Sequence, residues 1–153
     1  MTAVFGYSVV KEVTLSLDTS AYATGDVLAD TQEIALASRA PGTRCIIQSV
    51  IVLDKDDQGK ALDLVFLRTN VSIGTENAAV TVSDANADEI CGIVEVTLGD
   101  YVDLANSQLA TKTDVSILAE PASTSTSLFV AAISRGAGTY TASGVTLKIG
   151  ILQ

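Results

Sequence analysis

The residues that could do chemistry in this chain are its carboxylates, because the other usual catalytic and metal-binding side chains are scarce or absent. The sequence has no histidine, and its 18 aspartates and glutamates outnumber nine lysines and arginines, giving a net charge of -9. Without imidazole the chain lacks the commonest general base, the commonest metal ligand and the Ser-His and Cys-His nucleophile pairs. Catalysis or metal binding would therefore have to rest on Asp and Glu.

Two acidic stretches carry part of the spacing of a calcium loop. The run from Asp54 to Gly59 places oxygen ligands at positions 1, 3 and 5 and glycine at position 6. An EF-hand needs a bidentate glutamate at position 12, where this chain has Val65. The second stretch begins at Asp84 and has Glu95 at position 12, but Glu89 replaces the glycine of the tight turn. We interpret the first stretch as a turn, and we expect no metal site and no cofactor.

A carboxylate hydrolase is the enzyme class that these residues leave open. A glycosidase needs two carboxylates about 5 to 9.5 Å apart in a cleft, and Asp63 and Glu95 are the acids most embedded in apparent strands. Acids in strands usually point to solvent, so we interpret both as surface residues. The glycines near Gly136 and Gly138 lack the Lys-Thr of a phosphate-binding loop. We therefore expect no enzyme activity and no catalytic residue.

The two cysteines, Cys45 and Cys91, lie 46 positions apart without a CxxC motif or further thiols to complete a zinc site. Each stands in an apolar, strand-like context, which favours a small buried hydrophobic residue. The alternative is a disulfide bridging two strands.

Composition predicts a folded domain and excludes several partners. At 153 residues with 48% hydrophobic and 18% charged residues, the chain fits one globular domain. Its acidic balance argues against nucleic acid, and the absence of Trp, with 5% aromatics, argues against a base- or sugar-stacking platform. No signal peptide is recognisable and no run approaches the roughly 18 apolar residues of a membrane span. We expect a soluble protein made in the cytoplasm.

The β-branched residues Val, Ile and Thr make up 45 of the 153 residues, which favours strands almost throughout. The run Cys45 to Leu53 is apolar on both faces, which predicts a strand covered on both sides. A turn over Asp54 to Lys60 then predicts an antiparallel hairpin with Leu62 to Leu67, and Asp84 to Ile90 is the best helix candidate. The other predicted strands are Val13 to Leu17, Glu33 to Leu36, Val71 to Ile73, Ala79 to Val82, Cys91 to Leu98, Tyr101 to Val102, Gln108 to Ala110, Val115 to Leu118, Leu128 to Ser134 and Val145 to Leu152.

This pattern predicts an all-β fold: an antiparallel β-sandwich, jelly-roll-like, with at most one short helix. The sandwich domain would span residues 13–153. Residues 1–12 would form either an N-terminal contact arm or the first strand, because this segment is more apolar than a frayed end requires. The residues proposed to contact a partner are Val4, Phe5, Tyr7, Val9 and Val10.

Three segments, Ser16 to Leu28, Ile46 to Leu67 and Ala79 to Val96, together resemble a small virion structural protein of tailed bacteriophages, of the head decoration or cement type. The resemblance covers most of the chain and consists of strands and turns without reactive residues. It implies a β-sandwich, often trimeric, on the outer surface of the capsid. Its partners would be the major capsid protein or other virion proteins, with neighbouring capsid subunits clamped together.

A second function stays open, namely a carbohydrate- or receptor-binding module of a phage tail or neck. Such a module would share the sandwich and would need a groove with polar loops. The turn-rich stretches Glu120 to Ser127 and Arg135 to Gly144 are the candidates for those loops.

Overall fold

The computed structural model describes residues 6–153, and this part of the chain is nearly all β. The predicted helix is present as α1, a single turn over Asp84–Ala87 whose N-terminus is capped by the Ser83 hydroxyl. A 3-10 turn covers Leu98–Asp100, and no helix in the described residues is long and apolar enough to cross a membrane. The strands are β1 Ser8–Thr14, β2 Val27–Ile34, β3 Cys45–Asp54, β4 Leu62–Leu67, β5 Ile90–Val96, β6 Tyr101–Asp103, β7 Gln108–Lys112, β8 Ile117–Ala119, β9 Leu128–Ser134 and β10 Val145–Leu152.

The strands form two antiparallel sheets. The large sheet has the order β1-β10-β3-β7-β6, with β8 also pairing with β3, and the small sheet has the order β2-β9-β4-β5. Strands that follow each other in sequence, such as β1 and β2 or β9 and β10, occupy matching places in opposite sheets. This is the strand order of a jelly roll, so the predicted all-β sandwich is confirmed.

The core lies between the two sheets and follows from the alternation along each strand. The large sheet contributes Ile47, Val50 and Val52, and the small sheet contributes Leu64 and Phe66, all fully buried. Burying one such side chain stabilises the fold by roughly 1.5 to 3 kcal/mol. Because Val50 and Val52, like Leu64 and Phe66, are two positions apart, a shift of register by one residue would turn them away from the core.

The predicted hairpin between β3 and β4 is wrong. The strand β3 pairs with β10, β7 and β8, while β4 pairs with β5 and β9 in the small sheet. The connection over Asp54 to Lys60 carries the chain from one sheet across to the other. Two consecutive apolar strands fit such an arch as well as a hairpin, since in both cases each strand buries one face in the same core.

The predicted strands Val71 to Ile73 and Ala79 to Val82 are also wrong, because this segment is a covering loop. It lies on the outer face of the small sheet, where Ile73 packs with Val65 and Leu67 in a second buried cluster. Val71, Val80 and Val82 are half-buried against the same cluster. The loop is fastened where the Asp30 carboxylate accepts hydrogen bonds from the Ile73 N–H and the Ser72 hydroxyl. Apolar alternation in this segment therefore serves to cover a sheet.

We expect Ile73→Ala to lower the free energy of unfolding by about 2 to 3 kcal/mol, because the substitution leaves a cavity under the covering loop. Ile73 has no exposed surface. Chemical denaturation followed by circular dichroism measures the change. The matched control is Ile93→Ala, whose side chain is 52% exposed and which should cost less than about 1 kcal/mol. Equal effects of the two substitutions would contradict the covering role of the loop.

Candidate interaction surface

The outer face of the large sheet is apolar but uncovered along its central strand. On the inner face of β3 the apolar side chains are fully buried, whereas Ile46, Ile51 and Leu53 on the outer face are only partly buried. The prediction that this strand is covered on both sides is therefore wrong for the described residues. The physical reason is that the covering loop around Ile73 lies on the small sheet and not on the large sheet.

The apolar face extends onto the neighbouring strands through the register of the sheet. Leu53 lies opposite Leu109, which in turn lies opposite Val102. Ile46 lies between Leu118 of β8 and Leu152 of β10. Val102 is 60% exposed and Leu118 is 62% exposed. These residues form two apolar rows, one at each end of β3. Exposed apolar residues grouped in this way mark an interaction site more often than scattered single residues do.

Charge is balanced on this face, although the chain as a whole is strongly acidic. The outward positions of the large sheet carry one acid, Glu12, and one base, Lys148, and the two are direct partners across β1 and β10. The net charge of -9 therefore resides elsewhere on the molecule. A partner that docks here meets little net charge and needs to desolvate few ionised groups.

The N-terminal residues proposed as contacts lie in or beside the edge strand β1. Val9 faces inward and packs partly buried against the core, whereas Val10 is 71% exposed. Tyr7 precedes the strand, and the Arg39 guanidinium stacks over its ring at 3.8 Å. Val4 and Phe5 lie outside the described residues. The structure thus makes residues 8–10 part of the first strand while leaving the Val10 side chain free to touch a partner.

The structure brings together the two carboxylates that the sequence singled out for hydrolysis. Asp63 of β4 and Glu95 of β5 are direct cross-strand partners at an open groove of about 560 Å³. The Arg135 guanidinium lies 2.7 Å from the Asp63 carboxylate. This ion pair gives Asp63 a structural role, because it connects β4 to the loop after β9. The groove is lined by Ala61, Asp63, Glu95, Val96, Thr97, Leu98, Gly99 and Arg135.

The calcium-like stretch at Asp54 is held as a turn by its own carboxylates. Asp54 is buried, and its oxygens accept hydrogen bonds from the backbone N–H groups of Asp56, Gln58 and Gly59. The Asp56 carboxylate accepts from the N–H and hydroxyl of Thr141. Within residues 6–153 no three metal-binding side chains converge on one point.

The two loops proposed for a carbohydrate- or receptor-binding groove lie at opposite ends of the sandwich. Glu120 to Ser127 precedes β9 and Arg135 to Gly144 follows it, so the seven residues of β9 separate them by roughly 23 Å. The first loop bonds to the segment around Gly42, whereas the second bonds to the Asp54 to Lys60 turn. They do not form one groove together.

Both cysteines are free thiols in the described structure. Burial raises the pKa of Cys45 to about 11, and it also raises the pKa of the half-buried Cys91. Both therefore remain protonated and weakly nucleophilic at neutral pH. Cys45 is the small buried hydrophobic residue that its context indicates, whereas Cys91 is only partly buried.

Comparison with known proteins gives no family assignment. No family model matches the chain, and no curated protein matches it. Among solved structures, one from Desmodium yellow mottle tymovirus is 10% identical and covers 99% of this chain and 83% of its own, with a TM-score of 0.31. That TM-score is too low to support an inference about function.

Proposed function

We propose that this chain is a non-enzymatic virion structural protein that decorates or cements a phage capsid by binding neighbouring capsid subunits. It would be made in the host cytoplasm and sit on the outer capsid surface, as a homo-oligomer, with a trimer favoured by the resemblance. The observation that carries the proposal is the uncovered apolar face of the large sheet. A protein that works by docking needs such a face and needs no reactive groups.

The contrast between the two sheets supports this choice. The small sheet buries its outer face under the segment around Ile73, which shows that the chain can cover a sheet with its own residues. The large sheet keeps Val102 and Leu118 more than half-exposed. Burying these apolar side chains against a partner would be favourable, because it removes them from water. A capsid surface is the partner that the resemblance to decoration proteins suggests.

The charge of the chain supports a position outside the capsid. A surface that faces packaged DNA gains from Lys and Arg, because each basic contact neutralises a phosphate. This chain has twice as many acids as bases. An outer position with an acidic exposed side and a neutral docking face fits that distribution.

We expect Leu118→Glu to weaken binding to purified phage capsids at least tenfold, because it would bury an unpaired carboxylate in the docking face. Co-sedimentation of the intact protein with capsids measures the change. The matched control is Ile93→Glu, which places the same charge at a similarly exposed position on the small sheet and should bind as wild type. Capsid binding that is absent in the wild type, or equally weakened by both substitutions, would contradict the proposal.

A further inference from the structure

The strand β1 presents a free backbone edge whose polar groups can be identified residue by residue. Among the described strands, β1 pairs with β10 alone. Hydrogen bonds join the Gln153 N–H to the Tyr7 carbonyl and the Leu15 N–H to the Val145 carbonyl. Bonded and non-bonded pairs alternate in an antiparallel ladder, so the odd-numbered residues of β1 bond to β10. The N–H and C=O groups of Ser8, Val10 and Glu12 therefore point away from the sheet.

This free edge has a defined end. The Gln32 side-chain amide donates to the Thr14 carbonyl and accepts from the Ser16 N–H, as the backbone of an added strand would. Gln32 thus closes the edge beyond Glu12. Residues 8–12 remain as a segment with three donors and three acceptors, and such a segment is a template for another strand.

We propose that this edge pairs with the same edge of a second copy, antiparallel about Val10, to form a two-fold dimer. In that register Val10 lies opposite Val10 of the second copy, and Ser8 lies opposite Glu12 of the second copy. The pairing satisfies all six free backbone groups of each chain, and it covers the most exposed of the large apolar side chains described, Val10, at 71%. The inference does not depend on capsid binding, and it assigns a dimer where the resemblance to decoration proteins implies a trimer.

The register about Val10 is favoured over the registers centred on Glu12 and on Ser8. Centring the pair on Glu12 would place two carboxylates opposite each other, which is destabilising, and would require the Thr14 carbonyl that Gln32 already occupies. Centring it on Ser8 would place Val10 opposite Gly6, which has no side chain to pack against it, and would pair Glu12 with a residue outside the described range. About Val10, Glu12 faces a serine hydroxyl and keeps Lys148 as its neighbour within its own sheet. Two chains of net charge -9 can therefore meet here without opposed like charges.

The test is the mass of the protein in solution, measured by light scattering after size-exclusion chromatography at about 100 µM. We expect wild type at twice the chain mass of 15.8 kDa. Val10→Lys keeps the backbone edge but opposes two ammonium groups, so it should shift the protein to monomer. The matched control is Val102→Lys, the same change at a 60% exposed valine on β6, at the other edge of the sheet, and it should remain dimeric.

A covalent readout checks the register itself. In Val10→Cys the two introduced thiols would belong to a hydrogen-bonded pair with Cα atoms about 5.5 Å apart, within the range for a disulfide. Mild oxidation should give a cross-linked dimer on a non-reducing gel, and Val102→Cys should give none. A monomeric wild type, a trimer untouched by Val10→Lys, or equal loss of assembly in both lysine variants would overturn the proposal. Capsid binding is scored separately, so either proposal can fail without the other.

Discussion

Asp54→Ala is expected to lower the free energy of unfolding by about 4 kcal/mol, because one buried carboxylate organises the whole arch between β3 and β4. Its oxygens lie 2.9, 2.8 and 2.7 Å from the backbone nitrogens of Asp56, Gln58 and Gly59. Alanine would leave these donors without their acceptor in a partly buried loop. Urea denaturation at pH 7, followed by circular dichroism, measures the loss.

Two further variants show that the effect comes from the carboxylate. Asp54→Asn keeps one acceptor oxygen but turns an amide N–H toward the donors, so it should fall between wild type and Asp54→Ala. Lys55→Ala changes an exposed neighbour in the same turn and should alter stability by less than about 0.5 kcal/mol. An Asp54→Ala protein within 1 kcal/mol of wild type would show that water replaces the carboxylate.

The same residue illustrates why sequence left two interpretations for this loop. A calcium loop and an Asp-capped turn both need oxygen atoms at short intervals and a glycine that permits an unusual backbone angle. In the structure Gly59 has a φ of +54°, and the oxygens of Asp54 turn inward to backbone N–H groups. The absence of a glutamate at position 12 was the signal that favoured the turn.

The long apolar strands were predictable almost to the residue. Leu128 to Ser134 and Val145 to Leu152 are β9 and β10, and the predicted strand from Cys45 ends one residue short of β3. β10 buries mainly one face and β9 buries both, so the strands read as an alternating or a continuous apolar run, and that pattern depends on the strand alone. Partner choice depends on residues far away in sequence, since β10 pairs with both β1 and β3. For that reason the hairpin between β3 and β4 was the natural error.

The interaction surface could be predicted only in part, for a related reason. The apolar outer face of β3 was visible in sequence, but its coverage depends on where the loop around Ile73 lies. Val102 and Leu118 sit in strands of three residues, too short for alternation to show which side chain faces out. The prominence of Val10 was visible, but the direction of its backbone groups required the register with β10.

The second large effect expected of this protein is cooperative unfolding in alkali, driven by its buried tyrosines. Burial raises the pKa of Tyr22 from its ordinary value near 10 to about 12, and burial also raises the pKa of Tyr101 and Tyr140. Tyr22 and Tyr140 contact each other edge to face, with ring centroids 6.1 Å apart. The nearby Asp54 carboxylate further disfavours a phenolate at Tyr101 and at Tyr140.

The sign of the pH dependence follows from proton binding. Between about pH 10 and 12 the folded chain retains phenolic protons that the unfolded chain loses. The contribution of these phenols to the free energy of unfolding is therefore fully present below pH 10 and is lost as pH rises through this window. Absorbance at 295 nm counts phenolates without interference, because the chain has four tyrosines and no tryptophan. Three of the four should ionise together with the loss of the circular dichroism signal of the strands.

Removing one buried phenol gives the decisive comparison. Tyr140→Phe removes a phenol that resists ionisation in the folded state. The unfolding transition should therefore move to higher pH, and one phenolate fewer should form during it. Tyr7→Phe is the matched control, because Tyr7 is 52% exposed and its loss should leave the transition in place. If three tyrosines instead ionise near pH 10 while the circular dichroism is unchanged, then water reaches these rings in the native protein and the core between the sheets is looser than its burial indicates.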